Sequence, residues 1–285
     1  MAMAWAAATV APAVRCLYVD LDGTLLGPGG SLLRGADGRF ALEGVRALQA
    51  CWRADVEVVL YSGRRQGSVF ENSRLIGASS YIFELGCGLV FDGELEWLTD
   101  GIEPSAPEGM ISEQLERSGA PTLLLEHFAG RLEYHTPWSI GREVSHLFRG
   151  FVDAGEVRQV LDGAGFNWLR LVDNGVVRAR SEQMPALPLT RAYHLIPAGA
   201  SKLRAVARHM QGRGYTREDC IALGDSREDL DVASVVGAFW LVANALEEDP
   251  SLGADVVGRP GVRIASEPYG AGVYEAVVTT LATER

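Results

Sequence analysis

Short apolar runs alternate with segments of helical period over two stretches of the chain. The first opens with Cys16–Val19, an unbroken apolar run of strand length, followed by Leu42, Val45 and Leu48 at helical spacing. Then come the run Val56–Tyr61, a helix-period segment at Gln66–Ile76 and a short run at Tyr81–Phe83. The second begins near Lys202, with Leu203, Val206 and Met210 on one helical face. It continues through Ile221–Leu223, a short helix near Asp229–Val236, the run Phe239–Val242 and a closing helix around Val273–Leu281. Continuous apolar strands alternating with helices predict a parallel sheet covered on both faces.

Between these stretches the texture changes. Helices are expected near Ile111–Ser118 and Ala154–Ala164, among strand-like pieces at Thr122–Glu126, Glu143–Phe148, Trp168–Val172 and Val176–Arg180. Asp173-Asn174-Gly175 reads as the turn of a hairpin. The chain is therefore divided into a first core segment (15–88), an inserted α+β domain (89–190) and a second core segment (191–285). Met1–Val14 is rich in Ala and carries no positive charge, so it is expected to be a loose extension rather than a signal peptide. No run approaches the roughly 18 apolar residues needed to span a bilayer.

Composition narrows the classes. With a formal net charge of −11, the chain is a poor candidate for a general nucleic-acid binder, which must neutralise many phosphates. A local site can still attract a small anion. Cys16, Cys51, Cys87 and Cys220 are scattered, which argues against a zinc site or a disulfide framework. They read as reduced, buried small side chains of a cytoplasmic protein. The oligomeric state is left open.

The chemistry concentrates at the ends of the apolar runs. Asp20-Leu21-Asp22-Gly23-Thr24 directly follows Cys16–Val19, and open α/β sheets hold their ligands at the carboxyl ends of strands. Asp and Gly are also ordinary turn residues. Two carboxylates so close together repel unless a cation intervenes, and hard oxygen ligands suit Mg²⁺. Asp20 would then be a nucleophile, and Asp22 an acid able to exchange a proton with a leaving oxygen. Gly224-Asp225-Ser226-Arg227-Glu228-Asp229 supplies further carboxylates after another strand, with Asp225 and Asp229 as metal ligands beside Asp20 and Asp22. Helix capping would also account for this cluster.

Lys202 is the only lysine among 26 basic residues. Arg is a planar fork and Lys a point charge, so the exception points to a cation placed between carboxylates and an anionic substrate. Tyr61-Ser62-Gly63-Arg64 ends the run Val56–Leu60, where a hydroxyl and a free Gly amide make a small anion site or simply an N-cap.

In this order Asp20-x-Asp22-Gly-Thr, Ser62-Gly-Arg, Lys202 and Gly-Asp225-x-x-x-Asp229 resemble the haloacid dehalogenase-like superfamily of phosphatases. The resemblance implies a Rossmann-like core, Mg²⁺ and an Asp20-phosphate that water hydrolyses. It implies that Ser62, the Gly63 amide and Lys202 hold the phosphate. Asp20, the Asp22 main-chain carbonyl and Asp225 would bind the metal, with Asp229 alongside. The inserted domain looks like the type IIB cap of Cof-type sugar phosphatases. Arg142-Glu143-Val144-Ser145 and Ala192-Tyr193-His194 are similar to segments of mannosyl-3-phosphoglycerate phosphatases, which makes Arg142 and Ser145 candidate substrate contacts. Asn244 matches a position near the phosphate. The chain departs from that family at Glu84-Leu85-Gly86, usually Glu-Asn-Gly, at His146-Leu147 and at Glu228, and has extra residues around Gln183–Thr190.

The function expected from these residues is hydrolysis of a phosphate monoester of a small molecule, of sugar-phosphate or glycosyl-phosphoglycerate type, with no nucleic-acid or membrane partner. A phosphomutase and a catalytically silent sugar-phosphate sensor are the alternatives.

Overall fold

The computed structural model describes residues 14–177, 184, 187 and 189–283. Residues 1–13 of the expected extension, most of the strand Val176–Arg180 and half of Gln183–Thr190 lie outside the described residues.

In chain order the first core elements are β1 (Cys16–Val19), α1 (Glu43–Arg53), β2 (Glu57–Tyr61), α2 (Gln66–Ile76), β3 (Tyr81–Phe83), β4 (Gly88–Phe91) and β5 (Glu94–Trp97). Next come α3 (Ile111–Ser118), α4 (Ala120–His127), β6 (Leu132–Tyr134), β7 (His146–Gly150), α5 (Ala154–Gly163), β8 (Leu169–Val176) and β9 (Arg191–Pro197). The chain continues with α6 (Lys202–Arg213), β10 (Cys220–Gly224), α7 (Arg227–Leu230), β11 (Ala238–Leu241), α8 (Ala243–Glu248), α9 (Leu252–Val256), β12 (Val262–Ile264) and α10 (Tyr269–Thr283).

These elements form an eight-stranded sheet of order β12-β11-β10-β1-β2-β3-β4-β5 and a four-stranded sheet of order β6-β7-β9-β8. In the large sheet every pair from β12 to β3 is parallel, and only the β4 and β5 edge is antiparallel. β1 lies at the centre, buried on both faces, which is why its four residues are apolar without alternation. One face packs on α1 and α10 through Ala47, Leu48, Val273 and Ala276; the other packs on α6 through Ala205, Val206 and Met210. The four-stranded sheet is antiparallel and buries its own core around Phe128, Phe148, Leu161 and Leu195. No helix among the described residues is long and apolar enough to cross a membrane.

The sheets divide the chain differently from the sequence reading. Residues 88–97 belong to the large sheet and 191–197 to the small one, so the crossings fall after Trp97 and after Pro197. The expected strand Thr122–Glu126 is helix α4: Pro121 opens it, and the run Leu123-Leu124-Leu125 has no period that separates a strand from a short buried helix. Asp173-Asn174-Gly175 is not a hairpin turn. It is a bulge inside the continuous strand β8, with Gly175 at φ 94° and its N–H held by Asp173 Oδ1.

Candidate functional site

The carboxyl ends of β1, β2, β10 and β11 meet on one rim, and the chain places Asp20, Ser62, Asp225 and Asn244 there. Asp20 continues the ladder past β1, its N–H bonding to Leu223 O at 3.1 Å. The turn that follows needs Gly23, whose φ of 86° favours glycine and where a Cβ would overlap Asp225 Oδ2. Thr24 Oγ1 donates to Asp225 Oδ1 at 2.8 Å, fixing one carboxylate against the first acidic motif.

Lys202 enters at the start of α6, capped by Ser201 Oγ on Arg204 N–H. Its ammonium is 1% exposed and donates to Asp20 Oδ1 at 2.8 Å and to Asp229 Oδ1 at 2.6 Å, 4.8 Å above the centre of the Tyr61 ring. Asp229 Oδ2 closes the next turn by accepting from the N–H of Asp225 (3.2 Å), the N–H of Ser226 (3.0 Å) and Ser226 Oγ (2.6 Å). Carboxylate oxygens of Asp20, Asp225 and Asp229 all lie within 4.8 Å of one another.

Electrostatics follow from that crowding. Burial pushes the Asp20 carboxyl up to about 7; Lys202 opposes the rise, while Asp229 and Asp22 add to it. Burial, then Asp20 and Asp229, raise Asp225 well above the carboxylate range. Burial alone would lower Lys202, but Asp20 and Asp229 outweigh it and hold the ammonium charged. One ammonium does not neutralise three desolvated acids. A hard, oxygen-preferring dication fits this donor set, and it would hold the acids ionised.

The other expected residues divide into two groups. Ser62 is buried beside this rim, its Oγ accepting from Arg64 N–H at 3.2 Å. Arg64 does not face an open anion site: its Nε and Nη2 grip the two oxygens of Asp22 at 2.6 Å each, and the Asp22 side chain is 56% exposed. Asn244, expected near the phosphate, braces the turn of the first acidic motif. Its Nδ2 donates to Gly23 O at 2.9 Å and its Oδ1 accepts from Tyr269 N–H at 2.9 Å.

Arg142 and Ser145, expected as substrate contacts, are both buried in a joint between the small sheet and the core. Arg142 donates to Ser145 Oγ at 2.7 Å and to Gly63 O, and stands 3.5 Å from Glu84. Glu84 is fully buried and accepts from the N–H groups of Glu143, Val144 and Ser145 at 2.7, 3.3 and 2.6 Å. Arg142 and those donors pull its carboxyl below the usual range against the opposing effect of burial. Glu84 and Leu85 take positive φ, 45° and 58°, at this crossing. The sequence reading noted Glu84 only within Glu84-Leu85-Gly86 and gave it no role, although an acid directly after a buried strand was its visible signal. Glu228, a departure from the family pattern, pairs with Arg170 of β8 at 2.8 Å.

No protein-family model matches the chain. It is 26% identical over 269 residues to the phosphoglycolate phosphatase of Archaeoglobus fulgidus, covering 92% of this chain and 95% of that protein. It is 24% identical to the HMP-PP phosphatase of Escherichia fergusonii, covering 86% and 89%. Both of these relatives are phosphatases, and each is matched over most of its length. A haloacid dehalogenase-like hydrolase from Bacteroides thetaiotaomicron shares the fold, with a TM-score of 0.56 at 16% identity over 93% of this chain and 98% of that one. The chain is a phosphoric monoester hydrolase acting on small phosphorylated compounds.

Proposed function

We propose that the chain is a Mg²⁺-dependent phosphatase in which Asp20 attacks the phosphorus of a small phosphate monoester. The observation that carries this reading is the buried Lys202 ammonium bridging Asp20 and Asp229 beside Asp225. Asp20 forms a bond to phosphorus as the bond to the leaving oxygen breaks, and Asp22 gives that oxygen its proton after swinging from Arg64. A water, deprotonated by Asp22, then cleaves the aspartyl-phosphate and releases inorganic phosphate. Asp20, the Asp22 carbonyl and Asp225 would hold the ion, with Asp229 beside it. The bound ion would offset charge on the transferred group and keep Asp20 ionised. Ser62, the Gly63 amide and Lys202 receive the phosphate oxygens. The leaving group is a small sugar or hydroxy acid admitted under the cap.

The test is release of 4-nitrophenol from 4-nitrophenyl phosphate. Activity should vanish with EDTA, return with MgCl₂, and fall by at least about 10³-fold in Asp20→Asn, the scale seen when a group essential to covalent catalysis is removed. Acid-quenched wild type should carry acid-stable, hydroxylamine-labile phosphate. Turnover by the folded Asp20→Asn protein would remove Asp20 as the nucleophile.

A further inference from the structure

The end of β1 opposite Asp20 carries a different kind of chemistry. Parallel pairing sets Cys16 beside Cys220 of β10 on one side and Glu57 of β2 on the other, so all three leave the sheet on one face. Helix α6 covers that face. Lys202 and His209 lie about two turns apart on it and both are buried against the sheet. The Lys202 ammonium reaches Asp20 at one end of β1, and the His209 ring reaches Cys16 at the other, about 13 Å along the strand.

Cys16 Sγ, a Glu57 carboxylate oxygen and a His209 ring nitrogen lie within 4.8 Å of one another. His209 is 0% exposed, and its Nε2 has no hydrogen-bond partner among the described residues. Glu57 Oε1 stands 3.6 Å from it, too far for a hydrogen bond. A buried polar atom left without a partner carries its full desolvation cost, so this nitrogen is where a ligand is missing. The other ring nitrogen is fixed: Nδ1 lies 2.8 Å from the Tyr18 hydroxyl. An imidazole anchored at one nitrogen and free at the other is the usual setting of a metal-binding histidine.

We propose that Cys16, Glu57 and His209 bind a zinc-like divalent cation at a site separate from the acidic cluster. Thiolate, imidazole and carboxylate suit a borderline-soft ion, whereas Mg²⁺ prefers the all-oxygen set at the other rim. Tetrahedral bonds of about 2.0–2.3 Å put donor atoms about 3.6 Å apart, so small side-chain shifts close the trio on an ion and no pre-formed cavity is needed. The thiol gives its proton to solvent as the sulfur–metal bond forms, and water takes the fourth position. The Glu57 side chain is 18% exposed, which opens the site to solvent at one edge. Arg213 Nη2 donates to Glu57 Oε1 at 2.6 Å, but its two Nη groups also donate to Asp92 at 2.6 Å each, so the guanidinium keeps a partner when Oε1 turns to the ion. The close Cys/His spacing that marks such sites in a sequence is absent because the ligands come from β1, β2 and α6.

The probe is Co²⁺, which occupies zinc sites and reports its ligands by colour. Protein stripped with EDTA and returned to excess MgCl₂ should take up one equivalent of CoCl₂ with a thiolate-to-cobalt charge-transfer band, and one equivalent of ZnCl₂ should bleach it. Cys16→Ala should abolish the band. His209→Gln and Glu57→Gln should each weaken Zn²⁺ binding by at least about tenfold, the smallest loss expected even for a partner that only orients a ligand. Cys51→Ala, Cys87→Ala and, in the acidic cluster, Asp225→Asn should all retain the band. Glu57 stands at the exposed edge, so Glu57→Gln keeps the proposal testable if Cys16→Ala does not fold, with circular dichroism confirming the fold of each variant. No band in the wild type, a band that survives Cys16→Ala or is lost in Asp225→Asn, or an unchanged Zn²⁺ affinity in folded Glu57→Gln would overturn the site. None of these readouts depends on ester hydrolysis, so failure here leaves the phosphatase reading standing.

Discussion

Replacing Lys202 with Met removes the ammonium from between two of three clustered acids, and the cost can be worked from the geometry. At 2.8 and 2.6 Å, each ion pair is worth about 6 kcal/mol of gross Coulomb attraction at an effective dielectric near 20. Desolvation cancels much of this, and removing one partner of a buried pair has a net cost of about 3–5 kcal/mol. At roughly 2 °C per kcal/mol for a chain of this size, metal-free Lys202→Met should melt about 6–10 °C below wild type at pH 8. The pH dependence separates electrostatics from a packing defect. Asp20 titrates at about 7 in the folded protein with Lys202 present, against about 3.9 for a free aspartate. Between those values the folded state binds more protons than the unfolded one, so this group costs more stability as pH rises through the window. Without Lys202 the folded value moves higher still, and at pH 5.5 the carboxyl takes a proton and the cluster relaxes. Scanning calorimetry in EDTA should therefore show a gap that shrinks on going from pH 8 to pH 5.5. A gap equal at both values, or under about 2 °C at both, would refute an ammonium that neutralises the acids.

Two further substitutions probe the scaffold. Glu84→Gln keeps the shape but leaves Arg142 uncompensated in a buried joint, and should destabilise by about 3–5 kcal/mol at pH 7. Because the Glu84 carboxyl is held below its ordinary value, wild type alone should lose this contribution as pH falls below about 4, and thermal melts of the two proteins should converge there. Gly86→Ala should cost about 2–4 kcal/mol and lower kcat as well. Gly86 has φ 89° and a Cβ there would overlap Ser201 O and the Lys202 backbone, so the start of α6, and the ammonium with it, must shift. Melting temperature and turnover measured on one preparation check both effects.

The parallel core was legible because its strands are buried on both faces and read as unbroken apolar runs. Tyr81–Phe83, Gln66–Ile76 and Ile111–Ser118 match β3, α2 and α3 residue for residue. The acidic motifs were legible for a related reason: they stand directly after such runs, at the rim where open sheets bind ligands. Tight-turn chemistry was harder. Asp92-Gly93, with φ of 50° and 91°, closes the β4–β5 hairpin and went unread, whereas Asp173-Asn174-Gly175 offered a similar signal and is a bulge. Local residues supply the same left-handed preference in both cases, and only the pairing partner decides between turn and bulge. Arg142, Ser145 and Asn244 were read as substrate or phosphate contacts from family resemblance, and the hydrogen bonds they make to Gly63, Glu84, Gly23 and Tyr269 were not legible in any local pattern. His194 was visible only as part of Ala192-Tyr193-His194, and nothing local reveals that its Nδ1 lies 3.1 Å from Ser145 Oγ.

Lysine and arginine do different work in this chain, and the division bears on how the cap can move. Three arginines tie the small sheet to the core: Arg142 to Glu84, Arg170 to Glu228 and Arg191 to Asp249. They are not equally buried. The Arg142 and Glu84 side chains are 4% and 0% exposed, whereas the Arg170–Glu228 pair is 30% and 8% exposed and the Arg191–Asp249 pair 14% and 15%. Partly exposed pairs separate at lower cost because water and salt can replace the partner; a fully buried pair broken in place leaves an uncompensated charge. An opening that parted Arg170–Glu228 and Arg191–Asp249 and turned about Arg142–Glu84, where φ is positive at Glu84 and Leu85, would therefore leave the most buried of the three pairs unbroken.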